Sequence, residues 1–247
     1  MKVAVFSDIH GNCVGLEAML ADLAGESIDQ WVCLGDAIQG GAQPSQTVAR
    51  LRALNCPVVM GNADAWLLTG IDAGMEQIDP ARMQTMMAVR EWSLAQLSQA
   101  DRDYISGFQP HVNLKLPGAR TLLCFHGSPT SFHDVLLPDT SEKEFREVLG
   151  SWSGAYLCGG HTHIQYIRRL GEAFFFNPGS VGFAYSHHQS DDGFRADPWA
   201  EYAVLTVEER RLGLEFRRVP LDMEVLMAAF RQSGRPHIRE SMAQYGR

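Results

Sequence analysis

Hydrophobic and polar positions along this chain switch repeatedly between a short β-like run and a longer helical period. Lys2–Ser7 is a β-rich apolar run, and Asn12–Leu23 places Val14, Leu16, Met19, Leu20 and Leu23 at helical spacing. Gln30–Leu34 reads as a second strand, Pro44–Leu54 as a helix with proline in its first turn, and Pro57–Met60 as a third strand. Three β–α passes in close succession predict an α/β sheet that is parallel in this half. From Ala65 to about Gln109 strand signals stop, while Arg82–Leu97 and Asp101–Phe108 look helical; this stretch reads as a helical insertion between sheet halves. Strands resume at Thr121–Phe125, Ala155–Cys158, Ala173–Phe176, Tyr202–Val207 and Leu212–Val219. Little helix separates the last three, which predicts antiparallel or mixed pairing there. Leu221–Arg231 closes the pattern as a helix, and polar His187–Pro198 reads as a loop.

Size and composition narrow the picture. The 247 residues, 45% apolar and 20% charged, suit one large globular domain over 1–247 with the insertion at about 65–109. The net charge is −8 and lysine occurs only as Lys2, Lys115 and Lys143, so no polybasic surface for duplex nucleic acid or an anionic membrane is expected. The arginines beyond Glu208 are scattered and suggest no function. No apolar run approaches the ~18–20 residues of a membrane span, and Val3–Phe6 is too short for the core of a signal peptide. Five cysteines, an odd number without CxxC spacing, read as reduced, packed thiols of a cytoplasmic protein.

The chemistry gathers where strands end. The first ends in Ser7-Asp8-Ile9-His10-Gly11-Asn12, the second in Gly35-Asp36, and the third in Gly61-Asn62-Ala63-Asp64. Phe125 leads into His126-Gly127, and Cys158 into Gly159-Gly160-His161-Thr162-His163. Open α/β sheets bind ligands outside the carboxyl ends of their strands, so these groups should face one crevice. Asp8 and His10, like His161 and His163, stand at i and i+2; in extended chain both side chains of a pair share a face. Asp8, His10, Asp36, Asn62, His126, His161 and His163 offer two carboxylates, one amide oxygen and four imidazoles. That number suits two divalent ions sharing a carboxylate, and imidazole plus carboxylate without thiolate favours Mn, Fe, Zn, Ni or Co, with Mg also possible. Manganese is the first expectation. Two such ions outweigh two aspartates, so the site should draw a phosphate ester although the whole chain is acidic.

The order DxH, GD, GN, H, GHTH from Asp8 to His163 resembles the calcineurin-like metallophosphoesterase superfamily. The turn Asn177-Pro178-Gly179-Ser180-Val181-Gly182 is similar to that of its small, mostly microbial phosphodiesterases. The resemblance implies a four-layer α/β/β/α sandwich with two mixed sheets. It implies one ion held by Asp8, His10, Asp36 and His163, and a second held by Asp36, Asn62, His126 and His161. Asp36 would bridge, and a hydroxide between the ions would attack phosphorus in line. Asn62 would also touch a phosphate oxygen, and Gly11 and Asn12, opening the first helix, would favour the anion.

One departure is chemical. Many relatives carry histidine after the Gly-Asn pair, thought to protonate the leaving group; here that position is Ala63. Either another group supplies the proton or the leaving group needs little help, which favours phosphodiesters and nucleotide-type phosphoanhydrides over alkyl monoesters. Asp64 reads equally as a helix cap or as support for the site. His133, His187 and His188 read as passive loop residues, or else one is the missing acid. Trp66 and Trp92 read as packing residues, and Asn177 and Ser180 as turn formers. The expected activity is therefore dinuclear, metal-dependent hydrolysis of small phosphodiesters or nucleotide-like anhydrides. The alternatives are a dinucleoside polyphosphate hydrolase, a protein or monoester phosphatase, and, less favoured, a non-catalytic protein-binding scaffold. A metallo-β-lactamase-type hydrolase is disfavoured because its HxHxDH run is absent. A homo-oligomer remains compatible with the sequence.

Overall fold

The computed structural model describes residues 1–71, 78–150, 156–171, 173–189, 193–209 and 211–246. In chain order the elements are β1 (Lys2–Phe6), α1 (Cys13–Asp22), β2 (Gln30–Cys33), α2 (Pro44–Leu54), α3 (Asn62–Thr69), α4 (Pro80–Ala95) and α5 (Gln99–Ser106). Then come β3 (Val112–Leu116), β4 (Arg120–Cys124), α6 (Glu142–Leu149), β5 (Tyr156–Cys158), β6 (Gln165–Leu170) and β7 (Ala173–Pro178). The chain closes with β8 (Trp199–Val207), β9 (Leu212–Pro220), α7 (Met223–Ser233) and α8 (Ile238–Ala243).

Two sheets form, in the orders β2-β1-β8-β9 and β3-β4-β5-β7-β6. Both are mixed: β1 pairs parallel with β2 but antiparallel with β8, and β4 pairs antiparallel with β3 but parallel with β5. Alternation along the strands sets the layers. Val3 and Val5 of β1 pack between the sheets with Leu122, Cys124, Cys158 and Phe176. Ala4 and Phe6 point the other way, into a core made with Leu16 and Met19 of α1, Val48 and Leu51 of α2, and Leu226 of α7. On the far side Leu123, Leu157 and Phe175 meet Phe145 and Leu149 of α6. The result is the expected four-layer α/β/β/α sandwich.

Three sequence expectations differ in detail. Pro57–Met60 is extended but makes only isolated parallel bridges, Val58 with Cys33 and Val59 with Gln109, so it flanks β2 without becoming a regular strand. The helical stretch expected from Ala65 begins earlier, with α3 directly at Asn62, followed by α4 and α5. The strands β3 and β6 and the helices α6 and α8 were not anticipated. Ala155, expected to open the fifth strand, lies outside the described residues. No helix among the described residues is long and apolar enough to cross a membrane.

Candidate metal centre

The polar strand-end segments all reach one edge of the sandwich. Asp8 and His10 follow β1, Asp36 follows β2, Asn62 opens α3, His126 follows β4, and His161 and His163 follow β5. Two groups of potential ligand atoms result: Asp8, His10 and His163, and Asp36, His126 and His161. His163 Nε2 lies 3.2 Å from Asp8 Oδ1 and 3.2 Å from His10 Nε2. Asp36 stands between the groups. Its Oδ2 is 3.7 Å from His10 Nε2 and its Oδ1 3.4 Å from His126 Nε2. Asn62 joins the second group, with Oδ1 3.0 Å from His126 Nε2. All seven sequence-selected side chains are thus brought together.

The backbone does this differently from the extended geometry expected of the i, i+2 pairs. Asp8, His10, Asp36, His161 and His163 all have left-handed φ, between 49° and 70°. Aspartate and histidine are among the side chains that tolerate this region, at a cost of about 1 kcal/mol or more apiece. Each pair is therefore presented by a coiled loop, not by a strand. Glycines enable close approach: a Cβ on Gly160 would stand 2.1 Å from Ser7 Oγ, and one on Gly61 would stand 2.1 Å from Asp36 Oδ1.

The outer contacts fix which nitrogen faces inward. His10 Nδ1 is 2.8 Å from Gln39 O, His126 Nδ1 2.8 Å from Leu34 O, and His163 Nδ1 2.5 Å from Phe183 O. Only an N–H can satisfy those carbonyls, so in each neutral ring the Nε2 lone pair points into the cluster. There it meets other acceptors: a second imidazole, the Asn62 amide oxygen and two carboxylates. Among the described residues, buried Asp8 Oδ1 faces the His163 Nε2 lone pair of the neutral ring and has no hydrogen-bond donor. Convergent lone pairs and carboxylates, with donors already spent elsewhere, form a cradle for cations. The donor set fits divalent metal.

Without metal, protons fill part of that role. Burial opposes charge on His126, but Asp36 overrides it and pushes the imidazole up to about 9. Burial likewise opposes charge on His163, and Asp8 more than compensates, raising it. His161 goes the other way, to about 4, through burial and the neighbouring His126 charge. Burial, with the charge on His163, also lowers His10, the carboxylates offsetting only part. Burial would raise Asp8 and Asp36, yet their histidine neighbours hold both below the usual carboxylate range.

A supporting ring of contacts surrounds the ligands. Asp64 is fully buried and accepts hydrogen bonds from the Ala37 and Ile38 amides, both at 3.0 Å, tying α3 to the loop that carries Asp36. It supports the site; the residue flanking α3 is Gly61. Burial and the Asp36 charge raise Asp64 to about 7. Asn177 and Ser180 do more than shape their turn. Asn177 Nδ2 donates to Gly160 O at 2.6 Å, and Ser180 Oγ donates to Asp8 O at 2.7 Å. Asn12 caps α1 through Oδ1 and donates to Gly182 O through Nδ2. The Gly11 and Asn12 amides donate to Ala37 O and Ile9 O, so neither has a free N–H to offer a phosphate. His187 is exposed, with Nε2 2.7 Å from Thr162 O.

Beside the cluster lies a cavity of about 390 Å³, within the range of small-molecule sites. His10, Asn62 and Ala63 line it, so it opens onto the ligand groups. Trp66, Met86 and Val89 of the insertion form one apolar side, and Phe183, Leu226 and Phe230 another. The segment from α7 through α8 completes it with Arg235, His237 and Tyr245. Tyr245 OH donates to Gly182 O at 3.0 Å, which seats α8 against the site. These C-terminal residues were not found from sequence, because nothing local marks a scattered arginine or tyrosine as a cavity wall.

The geometry defines a metal-binding centre at the strand ends of a double-sheet sandwich, and comparison with known proteins places it. Residues 1–210 match the calcineurin-like phosphoesterase superfamily domain, and the chain belongs to that family. Most members are metal-dependent phosphoesterases, which sets the class of chemistry as hydrolysis. An uncharacterised protein of Methanocaldococcus jannaschii is 27% identical over 239 residues, covering 90% of this chain and 88% of that one. Among solved structures, a metallophosphoesterase from Sphaerobacter thermophilus superposes with a TM-score of 0.71 at 23% identity, covering 100% of both chains. A hypothetical protein from Pyrococcus horikoshii gives 0.79 at 20% identity, covering 100% of this chain and 98% of that one. At those identities the structural likeness speaks for the fold.

Proposed function

We propose that the protein is a dinuclear phosphoesterase that hydrolyses phosphodiesters or nucleotide-type phosphoanhydrides. The observation that carries the reading is Asp36, whose two oxygens face different imidazoles, one in each ligand group. Asp8, His10 and His163 with Asp36 would hold one divalent ion, and Asp36, Asn62, His126 and His161 the other. Manganese is the first ion to test. Such ions, when bound, polarise the phosphoryl oxygens and lower the pKa of coordinated water. The protein supplies the rest. The backbone carbonyls of Gln39, Leu34 and Phe183 orient three imidazoles, and Asp64 braces the loop bearing Asp36. Asn62 gives Oδ1 to the cluster and keeps its amide N–H₂ to orient a phosphate oxygen.

Ala63 also lines the cavity beside Asn62, and a methyl group cannot protonate a departing alkoxide. Substrates whose leaving groups depart unprotonated fit best, which is why diesters with acidic leaving groups and anhydrides are preferred over alkyl monoesters. Protein purified without chelators should contain two divalent ions per chain. It should turn over bis(p-nitrophenyl) phosphate, and p-nitrophenyl phosphate faster than an alkyl monoester such as glycerol 2-phosphate. Two bound ions with no turnover of any diester, monoester or dinucleoside tetraphosphate would defeat the proposal; a lead for the tetraphosphate would favour the polyphosphate alternative.

A further inference from the structure

The cavity beside the metal centre takes in His10 and Asn62 of the ligand groups, and carbon walls most of the rest. Trp66, Met86 and Val89 line it from the insertion, and Phe183, Leu226 and Phe230 from the later part of the chain. Polar residues along these walls keep their polar atoms for the protein. Asn12 pairs with the Gly15 amide and Gly182 O, and Thr85 Oγ1 donates to Ala81 O. Tyr245 OH donates to Gly182 O, and Ser241 Oγ accepts from Arg235 Nη1. Trp66 Nε1, Gln39 Oε1 and Arg235 Nε are buried and turn no surface toward the space. His237 and Glu240, which also line it, are exposed residues.

That lining restricts what can lie beside a phosphate held at the ligand groups. A sugar or a second phosphate would exchange its hydration for carbon and for side chains already paired, an unfavourable transfer. An alkyl or aryl group gives up no hydrogen bond there and gains with every methylene it removes from water. At about 390 Å³ the space stands at the small end of ligand sites, with room for one such substituent next to the reacting group.

We propose that this cavity seats an apolar ester substituent, alkyl or aryl, of a phosphodiester whose phosphate lies at the metal centre, with Trp66, Met86 and Val89 among the residues that select it. The inference rests on the phosphoesterase reading only for where the phosphate goes. The apolar seat is independent of turnover, and two measurements keep them apart. First, 2-naphthol, which carries no phosphate, is titrated into metal-free protein and followed by ligand-observed NMR. Saturable binding is expected, weakened at least ~5-fold by Met86→Gln, the scale of covering an unpaired amide. Met86 is a half-buried position of α4, and glutamine matches methionine in helix propensity, so an unchanged melt should accompany the loss. Second, manganese-loaded protein hydrolyses bis(p-nitrophenyl) phosphate with alkylphosphonates, from methyl to hexyl, as inhibitors. The inhibition constant should fall about threefold for each added methylene, and Met86→Gln should flatten the series. The polar 2-hydroxyethylphosphonate should inhibit no better than methylphosphonate. A constant that stays level from methyl to hexyl overturns the apolar seat even though the diester is hydrolysed. A graded series that Met86→Gln leaves unchanged puts the chain elsewhere and overturns it too. Where no ester is hydrolysed, naphthol binding weakened by Met86→Gln supports the seat and defeats the phosphoesterase reading; no naphthol binding overturns the seat as well.

Discussion

At the scale of single residues, the site is a set of carboxylates and imidazoles that, in the metal-free chain, hold one another's charge. Asp36 belongs to one group and faces His10 of the other, where it would be shared by both ions, so Asp36→Asn should reduce bound metal from two ions to one or none. Diester turnover should fall more than ~100-fold, beyond what even an outer partner of a ligand is worth. Metal analysis and kinetics on protein with an unchanged circular dichroism spectrum check this. Placing the absent acid back, Ala63→His should raise alkyl monoester activity relative to aryl diester activity by ~10²-fold, the lower end of general-acid assistance. An unchanged ratio would contradict the substrate preference argued from Ala63. In the metal-free protein the His126 imidazole keeps its proton up to about pH 9, and that proton must leave before Nε2 can ligate. Below that pH, apparent metal affinity should therefore rise roughly tenfold per pH unit, and a titration at pH 7, 8 and 9 reads the slope. The residue types were legible in the sequence because aspartate, asparagine and histidine stood at ends of apolar runs. Their left-handed backbone was not, since nothing in Asp8-Ile9-His10 distinguishes a coiled loop from extended chain. Arg235 and Gln39 escaped for another reason: only the folded chain puts them beside Trp66.

At the scale of elements, legibility followed the hydrophobic pattern. The helix at Pro44–Leu54 is where its proline and apolar spacing place it. Among the missed elements, β3 alternates Val112, Leu114 and Leu116 inward with Asn113 and Lys115 outward, a signal present but short. The edge strand β6 carries Arg168 and Arg169 and has no apolar run to announce it. The helix α6 buries Phe145 and Leu149 in the core with Val148 partly buried beside them, a short apolar signal, although Ser141 accepting from the Glu144 amide marks its start. How α3 meets the Asp36 loop depends on a contact across 26 and 27 positions of sequence, which periodicity cannot show. Its removal is testable. Asp64→Ala would leave the buried Ala37 and Ile38 amides unpaired, destabilising the fold by roughly 2–4 kcal/mol. A thermal melt should drop by at least ~5 °C, and manganese affinity should fall with it because the Asp36 loop is freed.

At the scale of the whole molecule, Asp8 and Asp36 stand on the first sheet while His126, His161 and His163 stand on the second, so ligation joins the two halves of the sandwich. These loops meet only in the folded state, so metal held by them would bind that state and not the unfolded chain. Adding manganese at about 100 times its dissociation constant should therefore stabilise chelated protein by ~2.7 kcal/mol, seen as a higher melting temperature. An unshifted melt with metal demonstrably bound would show that the unfolded chain binds it as well, against a site assembled only by folding. The family match stops at residue 210, whereas α7 and α8, which wall the cavity, follow it. Ligand loops and cavity wall thus come from separate stretches of the chain, so substitutions in α7 and α8 would reshape what reaches the strand ends without touching a single ligand.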